Sequence, residues 1–287
     1  MTELELDVGE DERAAGRLRP VRRRQAGLLL QTAGCLVLRD ALPSALIEAL
    51  REGFARIFQD CLDSKEGDGW YQVSRREQAV FWERGARWRI FPKLRPPFDA
   101  PDLLANPLIV EILEELLGAG FFCKFVSSDT CLRGSTVQAP RRELAAGGAP
   151  APRAYIVNVP LVRCGPENGP IEVWPGGTHL WRPELLERYG LSDDVQDGPN
   201  PEMETFAGFL PSRRLVLGPG SVLIRDPGML HRGTPNPTDA PRTMLTLCYL
   251  RRGHHHDYGD VRFNLDGELR ARLAPTVQRL FPDARTE

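Results

Sequence analysis

Two short stretches of the chain carry side chains that can bind a metal ion or a carboxylate. The first reads Asp-Pro-Gly-Met-Leu-His-Arg-Gly from Asp226, and it places His231 shortly after a predicted strand. Arg242 begins the next predicted strand. A neutral imidazole can ligate a metal ion, and a guanidinium can hold a carboxylate with two parallel hydrogen bonds. The chain has five histidines, so few imidazoles are available for a shared site.

The second stretch reads Gln-Ala-Pro-Arg-Arg-Glu from Gln138 to Glu143. The Glu143 carboxylate can ligate a metal ion, whereas Arg141 cannot, because its guanidinium stays protonated and has no lone pair to give. Gln138 is either a pocket residue or an ordinary strand residue. The two stretches together therefore offer two metal ligands, Glu143 and His231.

The composition indicates one large folded domain. The 287 residues are 41% hydrophobic, which is enough to build a core. We expect a single domain over residues 26–287. Residues 1–25 are acidic first and then rich in arginine, and they are predicted to form a mobile arm.

Charge and cysteine usage narrow the classes of partner. The net charge of −2 gives no electrostatic reason to bind nucleic acid or a membrane surface. No apolar run approaches the roughly 20 residues that span a bilayer. The six cysteines form no Cys-x-x-Cys pair, which indicates reduced thiols. We therefore expect a cytoplasmic protein whose partner is a small molecule.

Helical patterns precede a run of short strands. Apolar residues repeat at helical spacing over 42–62, with Ser44 as the expected N-cap, and again over 103–117. A strand is predicted at 34–40, whereas the aromatic-rich residues 63–100 are not assigned to an element. Seven further strands separated by glycine and proline turns favour a sandwich or barrel. They are predicted at 121–126, 130–137, 153–161, 170–174, 213–217, 221–225 and 242–250.

Four motifs follow one another in a characteristic order. They are Gly-Ser-Thr-Val-Gln from Gly134, Asn-Gly-Pro and then Pro-Gly-Gly-Thr-His between Asn168 and His179, Gly-Pro-Gly-Ser from Gly218, and His-Arg-Gly-Thr-Pro-Asn from His231 with Arg242 after it. In this order, over roughly residues 30–252, the chain resembles the phytanoyl-CoA dioxygenase (PhyH-like) family of iron(II)/2-oxoglutarate oxygenases. The resemblance implies a mainly β fold with flanking helices. The expected core is a double-stranded β-helix, a jelly-roll or cupin-like barrel, with the site in its mouth.

The resemblance also implies roles for individual residues. His231 and Glu143 fall at the positions of two iron ligands. Arg242 and Gln138 fall at positions that hold 2-oxoglutarate, so iron(II) and 2-oxoglutarate are the implied cofactors. Arg141 stands where the family carries its first histidine ligand. The implied function is a dioxygenase with an atypical metal site, acting on a small organic metabolite for which the arginines favour a carboxylate.

The replacement at Arg141 leaves two other functions open. Arg141 can pair with Glu143 or hold a substrate anion at the metal position, and together with His179 it then becomes a catalytic residue for acid–base chemistry without iron. A ligand-binding protein without catalysis is the third possibility. The run His254–His256 is interpreted as a solvated loop rather than a metal site. Residues 143–152 are interpreted as a flexible loop over the barrel mouth.

Overall fold

A computed structural model describes residues 3–67, 71–143, 152–191, 199–254 and 259–281. Its strands are β1 (Glu5–Asp7), β2 (Cys35–Arg39), β3 (Gln72–Val73), β4 (Val80–Arg84), β5 (Arg87–Phe91), β6 (Phe122–Cys131), β7 (Ala154–Pro160), β8 (Ile171–Val173), β9 (Arg213–Arg214), β10 (Val222–Arg225), β11 (His231–Gly233) and β12 (Arg242–Leu250). Its α-helices are α1 (Glu10–Ala15), α2 (Pro20–Ala33), α3 (Ser44–Ser64), α4 (Pro101–Leu104), α5 (Pro107–Leu117), α6 (Pro183–Arg188), α7 (Pro201–Gly208), α8 (Gly267–Arg272) and α9 (Pro275–Gln278). Two short 3-10 turns occupy Thr178–Leu180 and Val261–Phe263.

Within the described ranges the strands form two sheets. The larger sheet has nine strands in the order β1-β2-β10-β7-β12-β6-β5-β4-β3, and the smaller has the order β11-β8-β9. β12 pairs antiparallel with both β6 and β7, and all nine of its residues are buried. β10 bridges β7 and β2. The architecture is therefore mainly β with flanking helices, as the sequence predicts.

Helix α3 packs one apolar face against the large sheet. Ile47, Leu50, Phe54 and Ile57 are buried at three- and four-residue spacing, and they belong to the main core cluster. The helix begins at Ser44 with Pro43 in the N-cap position, and no side-chain cap hydrogen bond forms there. The prediction that Ser44 caps this helix is therefore wrong.

An Asn-Pro pair divides the second predicted helix. The helix expected over 103–117 is two helices, α4 and α5, because Pro107 lacks a backbone N–H and disfavours helical geometry at Asn106. Asn106 instead caps α5, accepting hydrogen bonds from Leu108 N at 3.0 Å and Ile109 N at 3.4 Å. The cap satisfies two N–H groups at the helix start that have no partner within the helix.

The N-terminal segment is folded, which corrects the prediction of a mobile arm. Residues 3–25 contain β1, α1 and the start of α2. Leu4, Leu6 and Val8 alternate with polar residues and are buried at the edge of the large sheet, and Leu18 is 3% exposed. The alternation has the two-residue period of a strand, which the acidic composition obscured.

The aromatic-rich region around residues 63–100 extends the large sheet. β4 and β5 form a hairpin that joins β6 through β5. Trp88 of β5 packs on Phe81 and Phe58 with ring centroids 5.7 and 5.5 Å apart. The strand predicted at 121–126 continues to Cys131 as β6, because its middle residues pair with β12. The strand predicted at 130–137 is wrong beyond Cys131, since residues 132–137 lie outside the named strands.

No helix in the described part of the chain is long and apolar enough to cross a membrane. Most of the loop predicted at 143–152 lies outside the described residues.

Candidate functional site

The main chain places Arg141 directly opposite His231. Arg141 N donates to His231 O and His231 N donates to Arg141 O, each at 3.0 Å, in an antiparallel bridge. Two residues further on, Glu143 N donates to Pro227 O at 2.8 Å. Directly opposed residues of antiparallel strands project their side chains to the same face, and so do residues two apart. Arg141, Glu143 and His231 therefore share one face.

His231 and Glu143 meet on this face. His231 Nε2 lies 3.2 Å from Glu143 Oε1, and Nδ1 lies 2.9 Å from Met229 O. Because a carbonyl oxygen can only accept, Nδ1 carries the ring proton and Nε2 presents its lone pair toward Glu143. Burial and the charge of Arg225 lower the pKa of His231, against the opposing effect of Glu143. The imidazole is therefore neutral at pH 7.

A buried arginine that the sequence analysis missed binds Glu143. Arg225, at the end of β10, donates from Nη2 to Glu143 Oε1 at 2.9 Å, and its side chain is 5% exposed. Its Nε donates to Asn158 Oδ1 at 3.3 Å, whereas Nη1 has no partner among the described residues. Burial raises the pKa of Glu143, but the Arg225 charge outweighs burial and holds that pKa well below its usual range. Glu143 is thus an ionised carboxylate with a guanidinium counter-ion.

Arg142 faces away from this cluster. It is 1% exposed, and its Nη1 donates to Thr178 O at 3.1 Å and to Trp181 O at 3.0 Å. These two bonds tie the 141–143 segment to the 3-10 turn after β8. Arg142 therefore anchors the segment that carries Arg141 and Glu143.

Gln138 links Arg141 to β11. Its Oε1 accepts hydrogen bonds from Arg141 Nη2 at 3.0 Å and from Gly233 N at 3.1 Å. Gln138 and Arg141 also line a cavity of about 460 Å³ that continues past Trp82 and Arg87. Of the two interpretations of Gln138, the structure supports the pocket residue.

Arg242 is the first residue of β12 and forms an ion pair with an acidic residue of β6. It is 1% exposed, and its Nη1 donates to Asp129 Oδ2 on β6 at 2.9 Å. Burial raises the pKa of Asp129, but the charges of Arg242 and Arg87 outweigh burial and lower it. Arg242 Nε has no partner among the described residues. An incoming carboxylate would therefore meet one open donor and one that Asp129 occupies.

The structure does not bring His179 to this cluster. Its Nε2 contacts Gln31 O at 3.1 Å, and its Nδ1 lies against Gly34 at the end of α2. None of the contacts found among the described residues joins it to Glu143, Arg141 or His231. The catalytic role of His179 beside Arg141 therefore stays a prediction that these contacts do not support. Of the His254–His256 run, His255 and His256 lie outside the described residues.

The donor set around His231 does not fit an iron ion held by three protein ligands. Among the described residues, no group of three His, Cys, Asp or Glu side chains could hold a metal. Ligands at right angles with bonds of about 2.1 Å are about 3.0 Å apart, so the 3.2 Å between His231 and Glu143 suits two ligands. The third side chain on this face is Arg141, and Arg225 already binds the same Glu143 oxygen. Both guanidinium charges oppose a cation there.

The side chains that the sequence analysis missed all lie on strands. Arg225 ends an apolar strand, and Asp129 is the third residue from the end of β6. Arg87 and Arg89 alternate with the buried Trp88 and Ile90 on β5, a pattern that normally indicates a solvent-facing side. The sequence feature that could have identified these residues was their charge. Charged residues at alternate positions of a strand can face the interior of a barrel as well as solvent.

The chain belongs to the phytanoyl-CoA dioxygenase (PhyH) family, whose model matches residues 30–244. Among solved structures it is similar to the non-heme alpha-ketoglutarate-dependent epimerase SnoN from nogalamycin biosynthesis. The identity is 18% and the TM-score 0.56, over 81% of this chain and 84% of that one. It is also similar to AviO1 from Streptomyces viridochromogenes Tue57, with 17% identity and a TM-score of 0.58, over 83% of this chain and 99% of that one.

A third similar structure is EctD from S. alaskensis with bound Fe. The identity is 18% and the TM-score 0.58, over 85% of this chain and 80% of that one. At such identities these likenesses show the fold. The predicted fold, a double-stranded β-helix barrel with flanking helices, is thereby confirmed, and the predicted family is confirmed by the match over residues 30–244.

Proposed function

We propose that this PhyH-family protein binds a small organic carboxylate in its barrel and acts on it without a resident iron ion. The observation that carries the proposal is the pairing of Glu143 with Arg225 at 2.9 Å, with Arg141 aligned opposite His231. The carboxylate already has a permanent positive partner, and the position of a third ligand holds a group that cannot ligate. Arginines at this site favour anions over cations.

The arrangement suits proton transfer beside a developing negative charge. The Nδ1 proton of His231 is committed to Met229 O, so Nε2 is the ring atom that can accept a proton. Once protonated, the ring would be stabilised by Glu143 at 3.2 Å. Arg141 would stabilise negative charge on the substrate. These roles fit an isomerisation, elimination or cyclisation of a carboxylated substrate.

A second candidate is the iron(II)/2-oxoglutarate dioxygenase that the family name suggests. One observation favours it: the Nε2 lone pair of His231 and the Glu143 oxygen lie at the spacing of two ligands, with Nδ1 anchored on a carbonyl. Arg242 would then hold the distal carboxylate of 2-oxoglutarate in exchange for Asp129. Bound iron would supply oxygen activation.

An anaerobic titration of metal-stripped protein with Fe(II) in the presence of 2-oxoglutarate separates the two candidates. Chelation of the cosubstrate by iron gives a charge-transfer absorbance. We expect no band from the native protein, and a band from the Arg141→His, Glu143→Asp double variant, which recovers a three-ligand set. A band in the native protein that the Arg242→Ala variant loses would establish the dioxygenase instead.

Calorimetry in EDTA tests the proposal directly. We expect 2-oxoglutarate or succinate to bind without metal, and the Arg141→Gln variant to bind at least about tenfold more weakly. Arg163→Gln is the matched control, because Arg163 is an exposed arginine on the surface pair with Glu167. Equal losses in both variants, or binding that requires iron, would contradict the proposal.

A further inference from the structure

A cavity of about 460 Å³ lies between the hairpin of β4 and β5, the 136–141 segment and the start of α7. Its volume falls within the range of about 300–1,000 Å³ that small-molecule sites occupy. Arg141 lines the cavity and also lies opposite His231, so the cavity adjoins the site described above. A substrate held at that site therefore has room for a further part of its structure.

Trp82 gives the cavity an aromatic wall. The residue is half-buried on β4. Trp88 of the same hairpin packs on Phe81 and Phe58, whereas Trp82 makes no ring contact with the other described residues. An indole that no neighbouring ring covers leaves a flat apolar surface against which a ligand can pack.

Gln138 presents its amide NH₂ group to the cavity, because its oxygen is already occupied. Gln138 Oε1 accepts from Arg141 Nη2 at 3.0 Å and from Gly233 N at 3.1 Å. Both partners are donors, so the orientation of the amide is fixed. Nε2 has no acceptor among the described residues, and it is not one of the unpartnered atoms that lack accessible surface. Gln138 therefore offers the cavity a hydrogen-bond donor.

Helix α7 adds one donor and one acceptor, from two residues that line the cavity. Asn200 Oδ1 accepts from Met203 N at 3.1 Å and caps the helix, which leaves Nδ2 as a donor with no acceptor among the described residues. Glu204 Oε1 accepts from Arg232 Nη1 at 2.7 Å, and the Glu204 side chain is 53% exposed. Glu204 Oε2 is therefore left to accept a hydrogen bond from a ligand.

This lining suits an uncharged group. Arg87 Nη2 donates to two main-chain carbonyl oxygens, each at 2.9 Å, and Arg87 Nη1 lacks accessible surface. Arg84 is exposed at the end of β4, where solvent screens its charge. A negative group beside α7 would meet the Glu204 carboxylate, which repels it. Arg141 borders the His231 site, where the proposed function places the carboxylate of the substrate.

We propose that the part of the substrate in this cavity is an uncharged ring that carries several hydroxyl groups, as a sugar ring does. A hydroxyl group both donates and accepts, so the ring hydroxyls accept from the Gln138 and Asn200 amides and donate to Glu204. The apolar face of the ring packs against Trp82. The inference rests on the proposed function in one respect, since it names the substrate class for the same site.

A flat nucleobase fits this lining less well than a hydroxylated ring. A base carries its donors and acceptors in the plane of the ring, whereas the hydroxyl groups of a saturated ring project in several directions. The polar groups around Trp82 come from two separate parts of the chain, the 136–141 segment and α7. Groups placed in this way favour a ligand with hydroxyl groups around its ring.

The test is saturation-transfer difference NMR in EDTA, with the methyl glycosides of glucose, galactose and mannose each titrated to give an affinity. Tetrahydropyran, which has the same ring without hydroxyl groups, is the matched ligand. We expect at least one glycoside to bind at least about tenfold more tightly than tetrahydropyran.

Two variants and a control assign this binding to the cavity. Trp82→Leu should weaken glycoside binding at least about fivefold. Asn200→Asp keeps an oxygen that caps α7 but removes the donor NH₂ group, and it should weaken binding at least about threefold. Tyr189→Leu changes an exposed aromatic residue outside the cavity lining and should leave binding unchanged. Circular dichroism verifies that each variant is folded.

Four results would overturn the inference: no binding of any glycoside, equal affinity for glycoside and tetrahydropyran, equal effects of the Trp82 and Tyr189 substitutions, or tighter binding of adenine than of every glycoside. Calorimetry with succinate in EDTA distinguishes this failure from failure of the proposed function. Succinate binding without any glycoside binding would contradict the ring class alone. Glycoside binding in a protein that binds succinate only with iron would contradict the iron-independent function and leave the ring class intact.

Discussion

Arg225 supplies Glu143 with a counter-ion that no titration at ordinary pH removes. A carboxylate that serves as a metal ligand must be free to accept a cation, whereas this one is matched in charge from within the chain. The same bond shapes the pKa of its two neighbours, because Arg225 lowers the pKa of both Glu143 and His231. Burial is the largest influence on both groups, and Arg225 opposes it at Glu143 and adds to it at His231.

The first prediction concerns this pair. Removing one partner of a buried ion pair leaves an uncompensated charge, so Arg225→Gln should lower the free energy of unfolding by about 3 kcal/mol. Urea denaturation at pH 7 measures it. Glu143→Gln should have a similar effect, and the double variant should lose much less than the sum of the two. Additive losses would show that the two residues do not depend on each other.

For single residues, the sequence predicted which side chains belong to the site, but it did not predict which residues they contact. The motif around His231 predicted that Arg141, Glu143 and His231 share a site, and the bridge between positions 141 and 231 places all three on one face. Arg225 could not be found, because 82 residues separate it from Glu143 and its strand reads as ordinary apolar sequence. Contacts of this kind follow from strand order, which local patterns do not specify.

Among the elements, α3 is tied to the hairpin that builds the cavity wall. Asp60 is buried on this helix, and its carboxylate accepts from Arg76 N at 2.9 Å, Glu77 N at 2.7 Å and Arg76 Nε at 3.0 Å. The turn that it holds leads directly into β4, which carries Trp82. Burial raises the pKa of Asp60, but these hydrogen bonds outweigh burial and lower it to about 2.

We therefore expect Asp60→Asn to lower the free energy of unfolding by about 2 kcal/mol at pH 7. A carboxyl whose pKa is depressed in the folded state stabilises the fold above its ordinary value of 3.8, and that contribution is lost as the pH falls toward about 2. The difference between native protein and variant should accordingly shrink below pH 4. Chemical denaturation between pH 7 and pH 2 measures it.

Asp63→Asn is the control for this prediction. Asp63 lies on the same helix and contacts Arg76 at 2.6 Å, but its side chain is 49% exposed. Its loss should change the free energy of unfolding by less than about 0.5 kcal/mol. Equal effects of the two substitutions would mean that the backbone hydrogen bonds of Asp60 contribute nothing.

Elements with strong periodicity were predictable, and elements defined by pairing were not. The apolar spacing of α3 and of β12 specified both. β11 has three residues and exists because His231 pairs with Val173 of β8, a contact outside the range of any sequence window. The break at Asn106 shows the reverse case, since the Asn-Pro signal was local but was outweighed by the apolar pattern around it.

In the whole molecule, the N-terminal segment closes one edge of the barrel sheet. β1 pairs parallel with β2, and α2 packs on the core. Leu18→Ala should therefore lower the free energy of unfolding by about 3 kcal/mol. Leu28→Ala is the matched control, because Leu28 is 62% exposed whereas Leu18 is 3% exposed. Thermal and urea unfolding measure both variants. If both substitutions change the free energy of unfolding by similarly small amounts, the N-terminal segment is a mobile arm after all.

The six cysteines supply another prediction about the whole fold. All are free and buried, and burial raises the pKa of Cys35, Cys61 and Cys164 to about 12. Since the thiolate is the reactive form, none should react rapidly with a disulfide reagent at pH 8, whereas all six should react in denaturant. A fast-reacting thiol in the native protein would reveal an opening of the core that these burial values do not show.

The bridge between positions 141 and 231 is made entirely of main-chain atoms. Any residue except proline at position 141 can donate the same hydrogen bond. The bridge therefore forms whichever other side chain is present at this position. The same main chain can therefore present side chains of different chemistry at position 141. A single base change separates some arginine codons from histidine codons, so a cation-binding and an anion-binding version of this barrel can be neighbours in sequence space while sharing one unaltered scaffold.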